Sequence, residues 1–243
     1  MTVILAVLLV ALLMLLLERV RPGRRWPQVK GFYPRAVLLN AVQAGFVLIA
    51  GLAWDRWFDA AALWHLDASL ALQVVWGYLL ITFVYYWWHR MRHENVFLWR
   101  WLHQVHHSPA RLEVVTSFYK HPLEIGLNSV LSSLLLYLVL SLSPLAATIT
   151  SAITGLAELF YHWNVRTPHW LGYLFQRPES HCVHHARGWH RLNYSDLPLW
   201  DMLFGTFYNP RGEDFECGFD ADRERHLLSM LLGRNVNRSE AIS

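Results

Sequence analysis

HRMRHENVFLWRWLHQVHH, residues 89–107, carries five histidines at helical spacing. His89 and His93 stand four apart, and His103, His106 and His107 follow at i, i+3 and i+4, so each set leaves one face of a helix. The pattern returns at His181, His184 and His185. Neutral imidazole is the commonest protein ligand for transition metals. Three such clusters meeting in space would offer eight nitrogens, more than one ion can use, which points to a two-metal site. A single H-x3-H on a helix would read as solvated surface histidine. Two copies of H-x2-H-H outweigh that reading.

Composition describes the surroundings of the site. With 54% hydrophobic and only 16% charged residues, the 243-residue chain is too apolar for an ordinary soluble domain and reads as an integral membrane protein. Its net charge of +3 comes from basic residues beside apolar runs, not from a basic stripe with interleaved aromatics, so a membrane surface is the expected partner and nucleic acid is not. Cys182 and Cys217 are the only cysteines and lack C-x2-C partners; they fit reduced thiols facing a cytosol.

Thr2–Leu17 is an unbroken apolar run closed by Glu18, Arg19, Arg21, Arg24 and Arg25. Without basic residues before it or a small-residue cleavage site after it, the run reads as a retained first span, and the positive-inside rule puts the N-terminus outside. Further spans are expected over residues 36–54, 68–88, 125–142 and 145–161. Asn40 and Gln43 would face other helices, while Asp55, Arg56 and Asp59 mark an outer loop. Tyr85, Tyr86, Trp87 and Trp88 resemble an interfacial aromatic belt, and Ser143-Pro144 turns a helical hairpin. Counting from the first span places every histidine cluster on the cytoplasmic side of an inner membrane of bacterial type. The expected fold is an all-α integral membrane protein: a bundle of about five spanning helices, the hairpin included, under a cytoplasmic helical cap that holds a histidine-rich dimetal site. The whole chain, 1–243, is one membrane domain, and its tail from Arg234 should fray.

Other polar residues need separate weighing. His162 closes the last span at the depth of the clusters, and a ninth ligand is favoured over a capping role. Glu158, one turn earlier, is costly in a bilayer unless paired, and a hydrogen bond to a metal-bound histidine would pair it. Glu94 fits either the same role or an exposed first-turn carboxylate. His121 in KHPLE and His190 in GWHRLNY are open between ligand, substrate contact and structural residue. His65, His169 and His226 lack clustered partners and read as structural or exposed. Cys182, inside HCVHH, points away from the shared histidine face and reads as a structural thiol. G-x-S-x-G, a glycine-rich phosphate loop and H-E-x-x-H are all absent, the last of which argues against a zincin protease.

The strings HRMRH, HQVHH and HCVHH, with NYSDLPLWDMLFGTFYNP after them, resemble the fatty acid hydroxylase and sterol desaturase superfamily of histidine-box membrane di-iron oxygenases. The resemblance covers residues 78–210, the catalytic region, and RPESHCVHHARGWHRLNY is nearest to the alkylglycerol monooxygenase branch. Ser195 departs from the glycine usual after N-Y. The resemblance implies a lipid hydroxylase (monooxygenase) that uses O2 and two iron ions, held by His89, His93, His103, His106, His107, His162, His181, His184 and His185. It implies no separate acid or base. A membrane lipid is the substrate, and electrons come from an external donor protein or reductant, since no flavin, haem or iron-sulfur motif is present.

Three alternatives stay open on the residues alone. A desaturase of the same superfamily would share every ligand. A di-zinc membrane hydrolase would too, because imidazole suits zinc and iron alike, and zinc is a ready substitute in purified protein. A metal transporter is disfavoured, since ionisable residues along an ion path should lie mid-span, and only Glu158 approaches that.

Overall fold

The computed structural model describes residues 2–220 and 222–237. Among the described residues the chain is helical, with no strand and one isolated bridge between Ala186 and Cys217. Of the tail expected to fray, Arg234–Asn237 is held in place: Gln104 Nε2 donates to the Arg234 carbonyl at 3.0 Å, and Asn237 is buried. Residues 238–243 lie outside the described residues.

Among the described residues four segments are long and apolar enough to cross a membrane: Val3–Val20, Phe32–Ala61, Leu70–Glu94 and Pro122–Val139. The first belongs to α1 (Thr2–Val20), whose Leu5, Leu9, Leu12 and Leu16 are about half exposed, as a lipid-facing helix requires. The second joins α2 (Phe32–Leu52) to the short α3 (Trp54–Ala61), so Asp55, Arg56 and Asp59, expected in a loop, are helical. Asn40 on α2 donates to the Val115 carbonyl at 2.9 Å and so turns inward as expected.

The third segment is α4 (Leu70–Glu94), capped by the Ser69 side chain on Leu72 N. It does not stop at Trp88 but runs on through His89 and His93. The aromatic run at its end mostly packs inward instead of forming a belt: Tyr86 is fully buried, the Tyr85 hydroxyl donates to the Asn128 carbonyl, and Trp88 Nε1 donates to Asn128 Oδ1. Trp87 is the exposed member. Asn95 then ends α4 and starts the next helix, its side chain accepting from Phe97 N and Leu98 N. That helix consists of α5 (Val96–Leu98), a π-helical turn (Trp99–His103) and α6 (Gln104–His107).

The fourth segment is α7 (Pro122–Ser133) with its π-helical continuation Leu134–Val139. Ser143 caps α8 (Pro144–His162) with its side chain on Ala146 N and Pro144 in the first turn, so the hairpin turns where the sequence places it. α8 is not among the four apolar segments. Thr148, Thr150, Ser151, Thr154 and Glu158 dilute it, and it packs on α4 and α1, so protein surrounds much of a helix expected as a fifth span.

The shorter helices α9 (Pro178–His184), α10 (Pro198–Leu203) and α11 (Leu227–Leu231) gather at the histidine-bearing end. There a buried cluster including Phe32, Leu39, Trp99, Tyr119, Phe219 and Met230 ties α2 and α11 to the second histidine box. Each such side chain contributes about 1.5–3 kcal/mol on burial. This fixes the floor on which the imidazoles stand.

Candidate dimetal centre

The nine expected ligands sort into two sets. His89, His93, His103, His107 and His184 each bring one nitrogen within 4.8 Å of the others, and His106, His162, His181 and His185 do the same. Each H-x2-H-H box sends its i, i+4 pair to one set and its i+3 member to the other, as neighbours a third of a turn apart on a helix must diverge. The second box gives His103 and His107 to the five and His106 to the four; the third box gives His184 to the five and His181 and His185 to the four. The rings of His107 and His185 stack at 4.1 Å between centroids, so the two sets are adjacent.

Hydrogen bonds decide which ring nitrogen is left over. His89 Nδ1 lies 2.7 Å from the Tyr194 carbonyl, His184 Nδ1 2.7 Å from the Leu192 carbonyl, and His93 is bonded to the His190 backbone. Alternate carbonyls of a single loop, residues 190, 192 and 194, therefore orient three rings of the five-membered set. The loop achieves this with left-handed backbone at His190, Leu192 and Asn193, with φ of 44°, 65° and 50°. Asn193 locks it, its side chain donating to the Ser180 and Tyr208 carbonyls and accepting from Tyr208 N. In the other set His162 Nδ1 donates to the Glu158 carbonyl at 2.9 Å.

His103 is held differently. Its Nδ1 is 3.0 Å from Glu124 Oε1, and Glu124 also pairs with the Arg92 guanidinium. Arg92 Nη1 also lies 3.2 Å from this Nδ1; with the Nδ1 proton donated to the carboxylate, Nε2 is the atom left to turn toward the other imidazoles.

The leftover nitrogens have no protein partner. His89 Nε2, His93 Nε2, His184 Nε2 and His106 Nδ1 are buried and make no hydrogen bond. Elsewhere Nε2 atoms face each other, His162 and His181 at 3.1 Å and His103 and His107 at 3.2 Å. Burial, reinforced by the neighbouring imidazoles, holds His106, His107, His181 and His185 well below the usual histidine range. Burial and the nearby Arg92 do the same for His103, and burial lowers His184 to about 3. Converging neutral lone pairs with nothing to accept from are what a pair of metal ions requires, so the residues present fit such ions.

A pH dependence follows for the metal-free protein. These rings stay neutral when folded, whereas in the unfolded chain they take up protons near pH 6.5. The unfolded state then binds more protons, so stability is complete above about pH 6.5 and falls as the pH drops below it. Thermal melting of metal-free protein in detergent should show a clearly lower Tm at about pH 5.5 than at about pH 7.5. Equal melting points would contradict neutral burial.

Other expected site residues lie elsewhere. The Glu158 carboxylate pairs with Lys120, and it is the Glu158 backbone carbonyl that holds a histidine. Glu94 is exposed, as one alternative had it, but it closes the last turn of α4 instead of opening a first one, and it pairs with Arg90 at 2.7 Å. His121 caps α7, accepting from Leu123 N and donating to the Leu231 carbonyl at 3.1 Å, so both nitrogens are engaged away from the sets. His190 belongs to neither set, but its Nδ1 sits 3.1 Å from His107 Nδ1. His65 and His226 are exposed, and His169 bonds to the Asn209 carbonyl. Cys182 is buried 2.7 Å from the Cys217 sulfur, both thiols free, with the Arg24 guanidinium donating to Cys182. Sequence reasoning passed over Glu124 and Arg92, and it singled out His190 without seeing that the backbone carbonyls of its loop orient the rings. The one available signal was Glu124 itself, a carboxylate in an apolar run three residues after His121.

The chain is 36% identical to the ornithine lipid hydroxylase OlsE of Rhizobium tropici over 69% of its own length and 52% of that protein. It is 31% identical to human alkylglycerol monooxygenase over 54% of its length and 29% of that protein, and 28% identical to the sphingolipid C4-hydroxylase sur2 of Schizosaccharomyces pombe over 59% and 50%. The chain thus spans about half or less of the length of these relatives. No solved structure matches it. The model of the fatty acid hydroxylase family matches residues 74–206, from near the start of α4 through all three histidine boxes and more than half of the sequence, and the chain belongs to that family.

Proposed function

We propose that the protein is a membrane-bound lipid hydroxylase that inserts one oxygen of O2 into a C–H bond at a di-iron centre. The observation that carries this reading is the pair of buried histidine sets whose unpartnered nitrogens converge. Family membership supports iron over zinc, which the imidazoles alone do not. His89, His93, His103, His107 and His184 would hold one ion, and His106, His162, His181 and His185 the other. Bound iron would supply the redox chemistry: C–H plus O2, two electrons and two protons gives C–OH and water, the electrons coming from an external donor.

The chain's own residues bind and orient. Backbone carbonyls of residues 190, 192 and 194 and the Glu124 carboxylate fix the tautomers that aim the ligand nitrogens. Burial of eight of the nine rings keeps bulk water from them. Since relatives act on ornithine lipids, alkylglycerols and sphingolipids by name, a polar-headed lipid is the substrate class, and ornithine lipid is the first to test.

The test is reconstitution in lipid with Fe(II), a reductant and isotopically labelled O2, followed by mass spectrometry of the lipids and metal analysis. Two ions per chain and one labelled oxygen in a lipid are expected. Loss of two hydrogens without label would mean a desaturase, oxygen-independent turnover a hydrolase, and one ion per chain would refute the two-set assignment. The site is assigned to the cytoplasmic side, with the N-terminus outside, on the strength of the arginines after α1. A C-terminal reporter that works only in the cytoplasm should be active; one active only outside should be silent.

A further inference from the structure

We infer that α10 and the 3-10 turn His169–Tyr173, though part of the histidine-bearing end, are embedded in the acyl region of the adjacent bilayer leaflet. These elements contact each other, and Tyr173 meets Phe207 at 5.8 Å between ring centroids. Together they expose Trp170, Leu174, Leu199, Leu203 and Phe204, with Trp170 61% and Leu203 62% exposed. An apolar surface of this kind on a soluble cap would be an association liability. Over residues 168–175 and 197–208 the one carboxylate, ammonium or guanidinium side chain is Asp201, and the imidazole of His169 bonds to the Asn209 carbonyl. Asp201 is buried, accepting from Tyr194 N at 2.8 Å, Ser195 N at 2.9 Å and the Thr206 hydroxyl at 2.7 Å, so no charge faces outward.

Depth identifies the occupant as lipid. Trp200 on α10 donates from Nε1 to Thr82 Oγ1 at 3.0 Å and packs edge-on against Phe83 at 5.0 Å. Phe204 packs on Trp87 at 4.8 Å. Thr82 lies seven residues before His89, so it sits about 10 Å inside the polar end of a helix that is itself a membrane-crossing segment. The exposed face of α10 therefore continues the lipid-facing surface of α4, at the depth where interfacial helices bury their apolar side. Asp201 links the same helix to the loop that aims His89, His93 and His184.

The test uses spin labels on the full-length protein in lipid nanodiscs. Cys182 and Cys217 are buried, so labels can be placed at Leu203→Cys and Leu174→Cys, with Val75→Cys on the exposed face of α4 as the lipid reference and Glu213→Cys as the aqueous one. Power saturation should give both test positions the oxygen-rich, nickel-chelate-poor signature of position 75. Leu199→Cys replaces either if a variant misfolds. Signatures like that of position 213 at α10 or at the turn would overturn the inference, and neither reading depends on whether the enzyme is a hydroxylase.

Discussion

His184→Ala is expected to abolish lipid oxidation, with activity falling by at least about a hundredfold, and to lower metal content from two ions per chain toward one. The change removes one of five converging nitrogens and strands the Leu192 carbonyl, which the ring's Nδ1–H now satisfies. Because the third box is shared between the sets, the loss should fall on the five-membered set first. His107→Ala should behave alike, and His106→Ala should spare that set and empty the other. His65→Ala and His226→Ala, at exposed positions, should leave activity and metal intact. His121→Ala makes a sharper control. Losing its cap on α7 should cost about 1 kcal/mol of stability, yet both ions should remain. Wild-type turnover in any box variant would remove that residue from the ligand set.

Glu124→Ala should be the most destabilising single change near the site. Glu124 is fully buried between the Arg92 guanidinium, itself 4% exposed, and His103. Removing it leaves a buried cation without its partner, which costs about 3–5 kcal/mol. It also removes the acceptor that fixes the His103 tautomer, which should weaken metal binding about 10–100-fold. Glu124→Gln separates the two effects, since its amide oxygen still accepts from His103 while Arg92 loses its counter-charge. Melting curves with and without metal, set beside iron titrations, measure both. An unchanged Tm with full affinity in Glu124→Ala would show that the triad of Arg92, Glu124 and His103 has no role in the centre.

The two histidine sets were legible in the sequence because a helix turns spacing into geometry, and i, i+4 pairs such as His103 and His107 share a side wherever the helix goes. The hairpin was legible for the same local reason, since Ser143-Pro144 is a helix start in its own right. What depended on tertiary contact was not. Glu124 meets His103 across 21 positions, and the Tyr85 and Trp88 contacts to Asn128 cross 43 and 40, so an apparent belt proved to be packing. Glu158 looked like a histidine's partner because it stands one turn before His162. The carboxylate instead found Lys120, a residue no periodicity connects to it.

The loop from His190 to Tyr194 has a consequence for how the centre tolerates change. Its orienting groups are carbonyls, which every amino acid possesses, so the side chains at positions 191 and 192 carry little of the information that positions the imidazoles. Chain geometry carries it instead. Leu192 occupies left-handed backbone at φ 65°, a conformation open to glycine or asparagine and closed to valine or isoleucine. A one-residue deletion there would change which carbonyl meets which ring and turn three imidazoles of the five-membered set out of place without altering a single histidine. The surface of the loop can drift, and with it whatever it touches, while its length and its handedness cannot.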